Sequence, residues 1–76
     1  MIALHEVMAR RVIRNVVRMR KEKGLSMTQL AALAKISVPY QSQLEAGKRE
    51  PSLELVCRFA VALGVAPTTL FEEVKP

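Results

Sequence analysis

The stretch from residue 26 to residue 47 constrains the fold of this chain more than any other. Ser26 and Ser37 each precede a short run of residues that suits a helix, and Gly47 follows the second run. A serine at such a position accepts a hydrogen bond from a free N–H group of the first turn, and a glycine tolerates the left-handed conformation that ends a helix. The stretch therefore predicts two short helices joined by a tight turn at residues 35–37.

A long amphipathic helix is predicted before this pair. Residues 3–22 contain neither glycine nor proline, and their apolar residues recur at steps of three and four, which is the period of a helix. The predicted core stripe consists of Leu4, Val7, Met8, Val12, Ile13, Val16, Val17 and Met19. Arg10, Arg14, Arg18 and Lys21 follow the same period and form a basic stripe on another face.

Two further helices are predicted after the pair. Ser52 caps a fourth helix that Gly64 ends, and Pro67 begins a last short helix. The inward-facing residues predicted for the second and fourth helices are Leu30, Leu33, Ala34, Leu53, Val56, Cys57, Ala60 and Val61. The sequence therefore predicts an all-α, compact five-helix domain over residues 1–76, in which residues 1–10 are an N-terminal extension of helix 1.

The positive charge is concentrated at the start of the chain. The net charge is +5, with 12 lysines and arginines against seven glutamates. Residues 1–23 contain seven of the basic residues and two of the glutamates, whereas residues 24–76 contain five of each. A basic segment of this kind favours a polyanionic partner, namely DNA, RNA or an anionic membrane surface.

Few residues are available for catalysis or metal binding. Cys57 is the only cysteine, His5 is the only histidine, and aspartate is absent. This set provides neither an internal disulfide nor a zinc site nor a catalytic constellation. No apolar run approaches the roughly 18 residues of a transmembrane helix. The sequence thus predicts a cytoplasmic protein that is not an enzyme and has no metal, cofactor, small-molecule ligand or membrane span.

A series of short motifs follows in a fixed order and spacing: Gly24-Leu25-Ser26, Gln29-Leu30-Ala31, Leu33-Ala34, Ile36-Ser37, Ser42-Gln43-Leu44-Glu45, Gly47-Lys48-Arg49, Pro51-Ser52-Leu53 and Ala62-Leu63-Gly64-Val65. In these motifs, residues 18–71 resemble the helix-turn-helix family of lambdoid phage repressors and Cro proteins, which includes the small controllers of restriction–modification operons. The resemblance implies a lambda-repressor-like DNA-binding domain in which helices 2 and 3 form the helix-turn-helix. It also implies a transcriptional regulator that binds a palindromic operator as a homodimer, and an ion pair between Arg20 and Glu45.

Three residues depart from the pattern of this family. Met27 stands where the family usually has a glutamine that contacts phosphate, and Lys35 replaces a small turn residue. Gln41 occupies a position that is normally apolar and faces the core. We therefore expect altered packing or an altered helix register around Gln41, and a phosphate contact at Met27 that is either lost or made by backbone N–H groups alone.

The outward face of helix 3 predicts the residues that read the bases. Val38, Pro39 and Gln43 lie on this face near the start and middle of the helix. A glutamine suits adenine through a bidentate contact, and apolar side chains suit thymine methyl groups. The predicted phosphate contacts, made by side chains and by N–H groups at a helix start, are Met27, Thr28, Lys35, Ser37, Tyr40, Lys48 and Arg49.

The dimer interface is predicted at the end of the chain. Val65, Leu70, Phe71 and Val74 offer apolar surface there, and the N-terminal extension is the alternative. Two-fold symmetry would set the two reading helices roughly 34 Å apart, so the operator half-sites should be centred about 10 base pairs apart.

Other functions remain open at this level. An antitoxin or another protein-interaction module of the same fold would have partner binding as its main role. The basic first helix is also compatible with a membrane-surface helix or a solvated face, although it lacks the tryptophan and phenylalanine of membrane-surface helices. The leading prediction is a double-stranded DNA-binding regulator that inserts helix 3 into the major groove and represses or autoregulates its own operon.

Overall fold

The computed structural model describes residues 1–73 as four α-helices followed by one short 3-10 helix. The helices are α1 (Leu4–Glu22), α2 (Met27–Ala34), α3 (Val38–Glu45), α4 (Leu53–Leu63) and the 3-10 helix Pro67–Phe71. The predicted all-α fold is confirmed, but the fifth predicted helix is a 3-10 helix, so the α-helices of this part of the chain number four. None of them is both long and apolar enough to cross a membrane.

The 3-10 form follows from the length of the last segment and from its attachment to α1. Five residues that begin with a proline can form few hydrogen bonds of the α-helical kind. Asn15 of α1 is buried, and its side-chain amide donates to the carbonyl groups of Leu70 and Glu72, both at 2.8 Å. These two bonds hold the end of the segment against α1.

The four α-helices all end in the same way. Each is followed by a residue with a positive φ, and the next N–H group donates back to a carbonyl of the last turn, as in a Schellman motif. Three of these ends use a glycine, which adopts a positive φ without steric cost. The end of α2 instead uses Lys35, with φ of 61°, in the conformation that costs a residue with a Cβ roughly 1–2 kcal/mol.

The core lies between α1, α4 and the 3-10 helix, and α2 and α3 close it from one side. Its largest fully buried side chains are Phe59, Leu30, Leu44, Leu63, Leu70 and Gln41. A glutamine thus occupies a position in the core, where the resemblance expects an apolar residue.

The predicted inward face of α4 is right for Val56 and Ala60, which are buried, and wrong for its other three residues. Leu53 and Val61 are 74% and 83% exposed, and Cys57 is exposed as well. The buried residues of this helix are Leu55, Val56, Phe59, Ala60 and Leu63. Because α4 is apolar around most of its circumference, steps of three and four occur on two faces, and periodicity does not choose between them. Leu4 and Leu33 were also predicted to face the core and are exposed.

Candidate nucleic-acid interface

α3 buries one face and presents the other to solvent. Gln41 and Leu44 are fully buried, whereas Val38, Pro39 and Gln43 are exposed. The exposed residues are one, four and five positions apart, so they form one stripe along the helix. The three predicted base-reading residues therefore lie together on the free face of α3.

The turn before α3 fixes where this stripe begins. The Ser37 Oγ atom accepts a hydrogen bond from the N–H group of Tyr40 at 3.2 Å and caps the helix. Pro39 lies in the first turn, where its missing N–H group costs little. Ile36 packs against the core, while Lys35 and Ser37 are exposed on the outer side of the turn.

The start of α2 offers free backbone donors. Ser26 and Gln29 form a capping box, in which each side chain accepts a hydrogen bond from the backbone of the other at 2.8–3.0 Å. Within residues 1–73, the N–H groups of Met27 and Thr28 have no acceptor. Unpaired N–H groups at a helix start attract anions, so the backbone at Met27 is available for the phosphate contact that its side chain does not make.

Two basic residues follow α3 and are held by its C-terminal motif. The N–H group of Lys48 donates to the carbonyl of Gln43 at 2.9 Å, with Gly47 in the left-handed conformation between them. The guanidinium of Arg49 lies 5.3 Å from the centre of the Tyr40 ring, and this ring is half-buried against the core. The backbone of Lys48 and the guanidinium of Arg49 are therefore both held just after α3.

A buried polar network joins α3 to α1. Arg20 donates from Nε and from one terminal nitrogen to the two carboxylate oxygens of Glu45, both at 2.9 Å, and its other terminal nitrogen donates to the carbonyl of Leu25 at 2.8 Å. The Arg20 and Glu45 side chains are only 11% and 10% exposed. Gln41 extends the network, because its Nε2 donates to Glu45 at 2.8 Å. The ion pair that the resemblance implies is thus present, with a third member.

The residues predicted for a dimer interface differ in how much of their surface is exposed. Val65 and Phe71 are half-buried and pack at the edge of the core, so each retains some free surface. Leu70 is fully buried within the single chain, and its side chain has no surface left for a second copy. The predicted interface role of Leu70 is therefore corrected to a core role. Val74 lies outside the described residues.

A family model described as Helix-turn-helix matches residues 16–70, which include α2, the turn and α3. The chain belongs to the helix-turn-helix family. Among its relatives, the HTH-type transcriptional regulator DdrOP3 of Deinococcus deserti is 42% identical over 57 residues, which are 75% of this chain and 44% of that protein. The uncharacterized HTH-type transcriptional regulator y4dJ of Sinorhizobium fredii is 39% identical over 56 residues, which are 74% of this chain and 73% of that protein.

The fold is also similar to solved structures of helix-turn-helix proteins. The restriction-modification controller protein C.AhdI from Aeromonas hydrophila superposes with a TM-score of 0.75 at 33% identity, over 80% of this chain and 92% of that chain. Helix-turn-helix regulators bind DNA with the second helix of the pair in the major groove. In this chain that helix is α3, and DNA binding and transcription regulation are the function of the family to which it belongs.

The sequence analysis did not include one exposed residue of α3 among the candidate DNA contacts. Ser42 lies on the same stripe as Val38, Pro39 and Gln43, and its hydroxyl group has the chemistry to contact a base edge or a phosphate. Its position four residues after Val38 would have identified it. The structure brings all four side chains to one helix face.

Proposed function

We propose that this chain is a sequence-specific regulator that binds a palindromic operator as a homodimer, with α3 in the major groove. The observation that carries the proposal is the exposed stripe of Val38, Pro39, Ser42 and Gln43 on a helix whose other face is buried. A helix packed in this way is held rigidly while its free side chains meet base edges. In this docking Gln43 reads adenine, and Val38 and Pro39 contact thymine methyl groups.

Phosphate contacts lie on both sides of the stripe in this docking. The free N–H groups of Met27 and Thr28 donate to one phosphate at the start of α2, where the helix dipole favours an anion. Lys35 and Ser37 contact the backbone from the turn. Lys48 and Arg49 contact it after α3, with Tyr40 supporting the guanidinium of Arg49. These contacts set the register of α3 on the duplex and carry no sequence information themselves.

A second copy of the chain doubles the contacts that one short reading helix can make. Val65 and Phe71 provide half-exposed apolar surface for such a copy, and Phe71 lines a groove together with the exposed Leu4 and Leu53. A two-fold pair would set the reading helices roughly 34 Å apart and require half-sites centred about 10 base pairs apart. An operator of this kind in front of its own gene would let the protein repress its own operon as its concentration rises.

The experiment is a fluorescence-anisotropy titration of the protein against the DNA upstream of its own gene, with unrelated DNA as competitor, at two salt concentrations. Competitor-resistant binding by two chains per site, with a footprint of two symmetric half-sites, is the expected result. Reporter transcription from the same DNA should fall when the protein is expressed. Binding that is equal for both DNAs and lost with salt would refute the proposal. The alternative, an antitoxin or another protein-interaction module, would then take its place.

A further inference from the structure

The basic stripe of α1 contains two arginines that the helix-turn-helix does not use. Arg10 and Arg14 are exposed, and within residues 1–73 neither has a carboxylate oxygen within 4 Å. Their neighbours differ, because Arg18 pairs with Glu22 at 2.9 Å and Arg20 pairs with Glu45. Two uncompensated guanidinium groups thus stand at one side of the domain.

These two arginines share a groove with the segment that follows the reading helix. Arg10 and Arg14 line it from α1, and Ala46, Gly47 and Arg49 line it from the other side. Three carboxylates also face it, but that of Glu45 is bound by Arg20, and that of Glu50 lies 3.5 Å from the Nδ1 atom of His5. Glu6 is the remaining one. Three arginines therefore face the groove, and one of them, Arg49, lies in the loop after α3.

The position of α1 relative to α3 is fixed by an ion pair between the two helices. The Arg20–Glu45 pair joins α1 to the last residue of α3. With a rise of 1.5 Å per residue, Arg14 and Arg10 lie about 9 Å and 15 Å along α1 from Arg20. Because both arginines line one groove with Glu45 and Arg49, the part of α1 that contains them lies beside the C-terminal end of α3.

We infer that Arg10 and Arg14 bind the phosphate backbone of the operator beyond the segment that α3 reads, and so extend the footprint of each protomer along the DNA. This inference rests on the proposed function. A membrane surface is disfavoured as the polyanion, because the apolar face of α1 is occupied: Val12, Ile13 and Val16 are buried in the core and unavailable to lipid. Continuity with Arg49 and with the end of α3 favours DNA.

The test compares the salt dependence of operator binding by the full chain and its variants. Each phosphate contact contributes about 0.9 to the slope of log K against log salt concentration. The double variant Arg10→Gln, Arg14→Gln should therefore lose about 0.9 for each arginine in each protomer. The matched control is Arg58→Gln on α4, whose guanidinium already pairs with Glu54 at 3.2 Å. Its slope should equal that of the wild type.

A second measurement locates the contact on the DNA. Duplexes with a single uncharged methylphosphonate linkage, placed at successive positions on either side of each half-site, are titrated with the wild type and with the double variant. At least one linkage outside the half-site should lower the slope for the wild type and leave that of the double variant unchanged, because the double variant has no arginine to contact that phosphate. The variant Arg10→Lys, Arg14→Lys keeps both charges and should restore the slope, while circular dichroism should show equal helix content for all chains.

An equal slope for the double variant and for Arg58→Gln, while the wild type still binds its operator in the presence of competitor, would overturn this inference alone. Failure of the wild type to bind any site in preference to competitor would overturn the proposed function, and this inference with it. The two failures are therefore distinguishable in one set of titrations.

Discussion

The guanidinium of Arg20 binds both carboxylate oxygens of Glu45, at two N–O distances of 2.9 Å, and joins α1 to the last residue of the reading helix. Both side chains are almost fully buried. The orientation of α3 therefore depends on a polar contact as well as on the packing of Leu44.

Glu45→Ala should lower the free energy of unfolding by about 3–5 kcal/mol, because it leaves a buried guanidinium without its partner. For a domain of this length that is a large part of the total stability. Urea denaturation followed by circular dichroism measures the change. The double variant Arg20→Met, Glu45→Leu should recover most of the loss. A loss below 1 kcal/mol in the single variant would mean that water already compensates the pair.

Gln41→Leu should raise the free energy of unfolding by about 1 kcal/mol, because a buried acceptor without a partner is costly. In the described part of the chain, the Oε1 atom of Gln41 is buried and has no hydrogen-bond partner. The hydrogen bond from Gln41 to Glu45 is lost in this variant, but Arg20 still holds both carboxylate oxygens. Thermal unfolding of Gln41→Leu and of the exposed control Ser42→Ala tests this. A less stable Gln41→Leu protein would show that the lost hydrogen bond dominates.

Lys35→Gly should be more stable than Lys35→Ala by about 0.5–1 kcal/mol. Alanine has the steric cost of the positive φ at the end of α2, roughly 1–2 kcal/mol, and the greater conformational entropy that glycine loses on folding offsets part of this difference. Both variants lose the same charge, so the difference between their unfolding midpoints reports the free-energy cost of the backbone conformation at residue 35. Their affinities for DNA should be reduced alike, because the predicted phosphate contact is absent from both. Equal stability of the two proteins would mean that the turn relaxes to another conformation.

Gln43→Ala should weaken operator binding by about 1–3 kcal/mol for each half-site and relax the preference at one base-pair position of each half-site. Lys48→Ala should instead weaken binding to all sequences alike and lower the salt slope by about 0.9 for each protomer of the homodimer. Titrations against the operator and against duplexes with single base changes separate the two effects. Identical binding of both variants and the wild type to every duplex would contradict the docking of α3 in the major groove.

Much of the fold was predictable because its boundaries depend on local chemistry. Ser26, Ser37 and Ser52 each cap the helix that was expected after them, and α2 occupies the segment predicted between Ser26 and the turn at residues 35–37. These signals act within a single turn and need no tertiary contact. The exposed face of α3 was predictable in the same way, because its residues recur at helical spacing.

The remaining features depend on contacts that are distant along the chain. The face that α4 buries is selected by the elements packed against it, namely α2, the 3-10 helix and α1, so that Leu55 and Phe59 are buried rather than the equally apolar Leu53 and Val61. The 3-10 helix is held by the amide of Asn15, 55 residues before Leu70. The burial of Gln41 is compensated by Glu45 and Arg20, and a period of apolar residues contains no information about such a partner.

The division of α3 into a buried and an exposed face separates the residues that stability constrains from the residues that are free to change. The buried Leu44 stabilises the fold, whereas the side chains of Val38, Pro39, Ser42 and Gln43 are exposed and take no part in the core. Mutations on the stripe are therefore free to accumulate without threatening the survival of the domain. A lineage of such proteins could diverge in its target genes one surface residue at a time, while every descendant kept the same scaffold.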